Sequence, residues 1–171
     1  MRVVINDANI LIDLIKIDLM NEFIHLDMEL KTTDFVLEEL YDEQKKIILH
    51  FVNEGYIEII KTEEIIDFIA IASILENNSG LSFEDCSVWY YASKLDGILL
   101  SGDGRLRTLA TKNGIEVKGI LYIFDQLLLM NLFSFEDAIG KIEKLYNTNP
   151  RLPINQKNAR VSSWSLKKHI I

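Results

Sequence analysis

A chain of 171 residues can form one domain with a buried core, and its composition (49% hydrophobic, 26% charged) is typical of a globular protein. The net charge of −8 argues against a passive nucleic-acid-binding protein, but not against a nuclease whose site holds cations. No apolar run reaches the roughly 18 residues that span a bilayer, no signal peptide is recognisable, and the single cysteine excludes an internal disulfide. We therefore expect a cytoplasmic protein without a membrane segment.

Short β-like runs alternate with helical patterns along most of the chain. This alternation predicts an α/β fold of three layers, α/β/α, with a central, mostly parallel twisted sheet. The strands are predicted at 2–6, 29–33, 56–61, 98–101 and 115–118. The helices are predicted at 8–16, 17–26, 35–41, 43–54, 63–77, 83–95, 104–113, 120–130 and 135–147, with Thr62 and Ser82 as N-terminal caps.

The end of the chain differs in charge from the rest. Residues 150–171 hold five basic residues and no acid, which leaves a net charge of −13 on the preceding part. The only two prolines, Pro150 and Pro153, stand at the junction. We expect a single domain over 1–149 and a basic C-terminal tail over 150–171. The tail either clasps RNA or the acidic body, or is a solvated and partly frayed terminus.

Two aspartates follow predicted strands. Asp7 comes directly after the run 2–6, and Asp103 follows the apolar run 98–100 after Ser101 and Gly102. In parallel sheets, ligands collect beyond the carboxyl ends of the strands, so both acids should lie at that edge. Each aspartate also fits a purely structural role, because Asp is a good helix N-cap.

Two further acids lie on the apolar sides of predicted helices. Asp85 shares a helical stripe with apolar side chains at the i+3, i+4 and i+7 positions, and a carboxylate there is costly unless something pairs with it. Ser82 to Asp85 also fits a capping box. Glu39 shares its side with apolar neighbours whereas Glu38 points away, although a solvated position for Glu39 stays open. Gathering four acids is unfavourable without a cation, so their convergence would indicate a divalent metal.

At these positions the chain resembles the PIN-domain family, metal-dependent ribonucleases that include the VapC-type toxins of toxin–antitoxin pairs. The resemblance covers about residues 1–130 and rests on four segments in order: Val4–Ile12, Val36–Leu40, Leu81–Asp85 followed by Ala92, and Leu99–Asp103. Family members often carry a further acid shortly after the last aspartate. Gly104, Arg105 and Leu106 stand there instead, so one or two metals remain open.

The resemblance implies a role for each of these residues. Asp7, Glu39, Asp85 and Asp103 would be catalytic and would coordinate Mg²⁺ or Mn²⁺. Asn9 and Ser101 would support the carboxylates. Arg105 or Arg107 would contact a phosphate or neutralise the charge of the site, unless they lie on a solvated helix face. The resemblance further implies an RNA substrate, an antitoxin partner and a homodimer.

Two other functions remain as alternatives. One is a PIN-like domain that has lost catalysis and serves as a protein-binding module. The other is a phosphatase of the haloacid dehalogenase type, which is disfavoured because the second aspartate that it needs, two residues after Asp7, is here Asn9. We expect the metal-dependent endoribonuclease, acting as the toxin of a toxin–antitoxin pair.

Overall fold

The computed structural model describes residues 2–167, so Met1 and residues 168–171, including Lys168 of the predicted tail, lie outside the described residues. Five strands form one sheet in the order β3-β2-β1-β4-β5, and every neighbouring pair is parallel. The strands are β1 (Arg2–Asn6), β2 (Met28–Thr33), β3 (Ile57–Ile60), β4 (Ile98–Leu100) and β5 (Val117–Lys118). Helices flank this sheet, which confirms the predicted three-layer α/β/α fold.

The strand order explains where a ligand would bind. The chain winds outward from β1 to β2 and β3, and then returns to the other side of β1 to form β4 and β5. Ligands of open parallel sheets bind beyond the strand ends at such a reversal. Asp7 and Asp103 follow the two strands that flank it, and the backbone N–H of Asp7 donates to the Leu100 carbonyl at 3.0 Å.

Ten helices lie between residues 2 and 167, and most agree with the predicted segments to within two or three residues. None of them is both long and apolar enough to cross a membrane. They are α1 (Ala8–Lys16), α2 (Met20–Phe23), α3 (Asp34–Glu39), α4 (Asp42–Asn53), α5 (Ile65–Asn77), α6 (Phe83–Lys94), α7 (Gly104–Lys112), α8 (Ile120–Leu129), α9 (Phe135–Thr148) and α10 (Ile154–Lys167).

The chain forms two compact units. The first comprises residues 1–12 and 27–119 and holds the whole sheet. Its α6 packs against β1, β2 and β4, and the stripe that contains Val88 and Ala92 is buried there. The apolar side predicted for this helix is therefore its packing face, and it brings Asp85 to the strand ends.

The second unit comprises residues 13–26 and 120–171. In it, Trp164 of α10 is 5% exposed and stacks on Phe124 with ring centroids 6.1 Å apart. Arg160 pairs with Asp125 at 2.6 Å, and Lys157 pairs with Glu143 at 2.5 Å. Much of the predicted basic tail is thus a packed helix, while a boundary at residue 149 stays a prediction.

Two local predictions are wrong. A helix over 17–26 is reduced to the four residues of α2, because Asp18 takes the left-handed conformation (φ 53°) and interrupts the helical path after α1. Thr62 does not cap α5, whose N-cap is Glu64. Thr62 is buried, and its N–H donates to Asp34 Oδ2 at 3.1 Å.

Candidate active site

Asp7 is the most buried of the four predicted acids, with 2% of its surface exposed. Its Oδ1 accepts the N–H of Ala8 at 2.8 Å, and its Oδ2 accepts hydrogen bonds from Asn9 Nδ2 (2.5 Å) and Ser101 Oγ (2.6 Å). Burial raises the pKa of Asp7 to about 6; the bond from Ser101 opposes this rise, and repulsion by Asp85 adds to it. Asp7 is therefore held in a fixed orientation at a cost in desolvation.

The groups that hold Asp7 also fix the loop that follows β4. Asn9 Oδ1 accepts the N–H of Gly102 at 2.6 Å, and Ser101 Oγ accepts the N–H of Asp103 at 3.0 Å. A Cβ atom at Gly102 would lie 2.9 Å from Asn9 Oδ1, so glycine permits this close approach. Asn9 and Ser101, the predicted supporting residues, thereby connect Asp7 to the loop that carries Asp103.

Asp85 and Asp103 both have the capping roles that the sequence left open. Asp85 Oδ2 accepts the N–H of Ser82 at 2.9 Å, and Ser82 Oγ accepts the N–H of Asp85 at 3.0 Å, which completes the capping box of α6. Asp103 caps α7, because its Oδ1 accepts the N–H of Leu106 at 2.7 Å. Burial raises the pKa of Asp85, and repulsion by Asp103 and Glu84 adds to this rise.

The structure distinguishes the two adjacent glutamates of α3. Burial of its carboxyl group raises the pKa of Glu39 to about 7, with further contributions from the charges of Asp7, Glu84 and Asp85. Glu38 instead pairs with Lys45 at 2.9 Å, and its side chain is 77% exposed. Glu39 therefore faces the other acids although it is an exposed residue overall, and Glu38 faces solvent.

Glu84 is an acid that the sequence analysis missed. It stands in the first turn of α6, where an acidic residue is already explained by the helix dipole. Its charge nevertheless raises the pKa of both Glu39 and Asp85. The only signal in the sequence was its position next to Asp85.

The acids suit a divalent cation in charge and in ligand chemistry. Asp85 interacts with Asp7, Glu39 and Asp103, and within residues 2–167 the charges that shift the pKa values of Asp7, Glu39 and Asp85 are those of other acids. Carboxylate oxygens are the ligands that Mg²⁺ and Mn²⁺ prefer. Among the described residues, no three histidine, cysteine or acidic side chains are already arranged to hold a metal ion.

The two arginines predicted to contact a phosphate make intramolecular hydrogen bonds. Arg105 Nε donates to the Ser79 carbonyl at 2.6 Å, and Arg107 Nη1 donates to the Ser101 carbonyl at 2.8 Å. Burial lowers the pKa of Arg107. The phosphate contact stays a prediction for both residues.

Comparisons with known proteins agree with this architecture. A solved structure of VapBC-1 from nontypeable Haemophilus influenzae is similar in fold, with a TM-score of 0.50 over 70% of this chain and 98% of that chain. The sequence identity is 14%, so this likeness bears on the fold alone. No curated protein matches the sequence. The family model DUF3368, described as a PIN domain, matches residues 3–165. The chain therefore belongs to the PIN-domain family.

Proposed function

We propose that this protein is a metal-dependent endoribonuclease that hydrolyses RNA phosphodiester bonds. The observation that carries the proposal is the convergence of acids at the strand ends. Ser101 bonds both the carboxylate of Asp7 and the N–H of Asp103, and the charge of Asp85 raises the pKa values of Asp7 and Glu39. Such a group of acids is costly in the absence of a cation. PIN domains are typically nucleases, and this family membership supports the choice of reaction.

Asp7, Glu39, Asp85 and Asp103 are the proposed ligands of Mg²⁺ or Mn²⁺. When bound, the cation would polarise the phosphodiester and lower the pKa of a bound water. Asp85 and Asp103 each keep one carboxylate oxygen on a helix N-terminus, which leaves the second oxygen as a ligand. The proton on Glu39, held with a pKa of about 7, must leave before this side chain can coordinate.

The test is cleavage of a mixed pool of structured RNA by the purified protein, with Mn²⁺, Mg²⁺ and EDTA in parallel. Cleavage should require the metal and should fall at least about 100-fold in Asp7→Asn. The variant also controls for a contaminating nuclease. Failure of the wild type to cleave with either metal would refute the proposal and favour the non-catalytic protein-binding module.

We further propose that the protein acts in the cytoplasm as the toxin of a toxin–antitoxin pair, by analogy with the VapBC-1 structure that it resembles. Helix α5 supports a protein partner, because Ile65, Ile66 and Ile69 are 76%, 72% and 63% exposed. Adjacent exposed apolar residues are typical of interaction sites. Glu63 and Glu64 precede them and α5 has no basic residue, so a second copy would bring like charges together, whereas an antitoxin segment with apolar and basic residues would be complementary.

This partner proposal has a separate test. Expression of the chain alone should arrest growth, and co-expression of the small open reading frame next to its gene should restore it. Ile66→Asp should weaken binding of that product, whereas Ile154→Asp, at an exposed isoleucine of α10, should not. Equal binding by both variants would exclude α5 as the docking surface, and dissociation of a dimer by Ile66→Asp alone would assign this helix to a second copy.

A further inference from the structure

One arginine connects the two segments that carry Asp85 and Asp103. Arg105, in the first turn of α7, extends to the loop before α6, where its Nε donates to the Ser79 carbonyl at 2.6 Å and its Nη2 lies 3.4 Å from Ser79 Oγ. We propose that Arg105 is a positioning residue, which holds Asp85 and Asp103 at the spacing that cation binding requires. This inference rests on the proposed function.

The loop is shaped to receive this arginine. Gly80 has a φ of +85°, which favours glycine, and a Cβ atom built on it would lie 2.7 Å from Arg105 Nε and 3.1 Å from Arg105 Cδ. Any other residue at this position would therefore be strained in its backbone and would also displace the guanidinium. Gly114 has the same conformation (φ +86°), but a Cβ atom there meets nothing within 4 Å.

The connection is short on both sides. Arg105 comes two residues after Asp103, the N-cap of α7, and Ser79 comes three residues before Ser82, which forms the capping box with Asp85. Two carboxylates of like charge repel each other, which favours their separation when no cation lies between them. A hydrogen bond between their segments opposes that separation.

The direction in which the cation affinity changes when Arg105 is removed distinguishes a positioning role from an effect of its charge alone. A guanidinium near a cation site repels the cation, so its removal should tighten binding if charge were its only influence. If Arg105 positions the two acids, its removal should weaken binding in spite of the lost repulsion. If Arg105 only contacts a phosphate, its removal should not weaken metal binding and should raise the KM for RNA.

The experiment is isothermal titration of Mn²⁺ into the full-length protein without RNA, for the wild type, Arg105→Ala, Arg105→Lys, Gly80→Ala and Gly114→Ala. Arg105→Ala and Gly80→Ala should each weaken Mn²⁺ binding about tenfold. This is the lower end of the range of affinity losses for residues that orient metal ligands, and we expect it because Arg105 and Ser79 are exposed. Arg105→Lys should fall between Arg105→Ala and the wild type, because lysine keeps a donor but loses the planar fork. Gly114→Ala should bind within about twofold of the wild type, since it carries the backbone strain alone.

Different failures refute different claims. Unchanged or tighter Mn²⁺ binding by Arg105→Ala, or equal losses in the two glycine variants, would overturn the positioning role while the wild-type site stands. Absence of Mn²⁺ binding by the wild type would refute the proposed metal site itself, and the role of Arg105 with it. Thermal unfolding of each variant shows whether it is folded, and Arg105→Ala, a surface substitution, keeps the test valid if Gly80→Ala does not fold.

Discussion

Replacing Asp7 with asparagine should stabilise the metal-free protein at neutral pH, although the same change should abolish cleavage. The pKa of Asp7 rises from 3.8 to about 6 on folding, chiefly through burial, and each unit corresponds to about 1.4 kcal/mol. The folded protein therefore binds this proton more tightly than the unfolded chain does. Stability is lost as the pH rises from about 4 to about 6, and above that range the ionised carboxylate costs about 3 kcal/mol.

Asparagine removes this cost but also sacrifices a hydrogen bond. The amide oxygen of asparagine can take the place of Asp7 Oδ2 and accept from both Asn9 and Ser101, but its NH2 group then faces the N–H of Ala8, which Oδ1 accepts in the wild type. With about 1 kcal/mol for the lost bond, the free energy of unfolding should rise by about 2 kcal/mol at pH 7.5 and hardly change at pH 4.5. The melting temperature should rise by roughly 4–8 °C at the higher pH.

The assay is urea unfolding in EDTA at both pH values. Asp67→Asn is the matched control, because Asp67 is also buried, but hydrogen bonds from Lys94 and Tyr90 lower its pKa. That variant should lose stability at pH 7.5. If Asp7→Asn is no more stable than the wild type at pH 7.5, or gains the same stability at both pH values, the ionised carboxylate of Asp7 does not destabilise the folded protein. Added Mn²⁺ should erase the gain, since only the wild type keeps the full ligand set.

Three further results are expected. Glu39→Gln should reduce RNA cleavage at least about 100-fold, whereas Glu38→Gln should stay within about twofold of the wild type; equal effects would contradict the orientation of α3. Cleavage at fixed Mn²⁺ should increase between about pH 5 and pH 8, because Asp7 and Glu39, with pKa values of about 6 and 7, bind protons in competition with the cation; a flat profile of rate against pH would contradict this. Trp164→Ala should cost about 3–5 kcal/mol of unfolding free energy, because Trp164 is buried against Phe124; a loss below about 1 kcal/mol would show that α10 contributes little.

The elements with local sequence signals were predictable. Alternation of apolar runs and helical stripes predicted the parallel sheet, and the serine–aspartate spacing predicted the capping box at Ser82 and Asp85. From the sequence, helix capping and metal binding were two alternative roles for Asp85 and Asp103. The structure makes them compatible, because a carboxylate has two oxygens and each cap uses one.

Features that depend on distant contacts were not predictable. Arg105 bonds to a carbonyl 26 residues earlier in the chain, and no periodicity encodes that contact. The helix predicted over 17–26 is interrupted because Asp18 takes a left-handed conformation. Aspartate also occurs within helices, so the residue type alone does not reveal this interruption. Thr62 resembled a helix cap, but burial beside Asp34 and Tyr91 gives its hydrogen-bonding groups other partners.

The proposed nuclease depends on binding of a divalent cation by Asp7, Glu39, Asp85 and Asp103 together. The most direct measurement is a crystal structure of the wild type grown with MnCl₂, with an anomalous difference map collected near the manganese absorption edge. We expect a peak among these four carboxylates, with the side chain of Glu39 turned toward it and the capping bonds of Asp85 and Asp103 retained. An empty position at these acids in crystals that hold Mn²⁺ elsewhere would contradict the account.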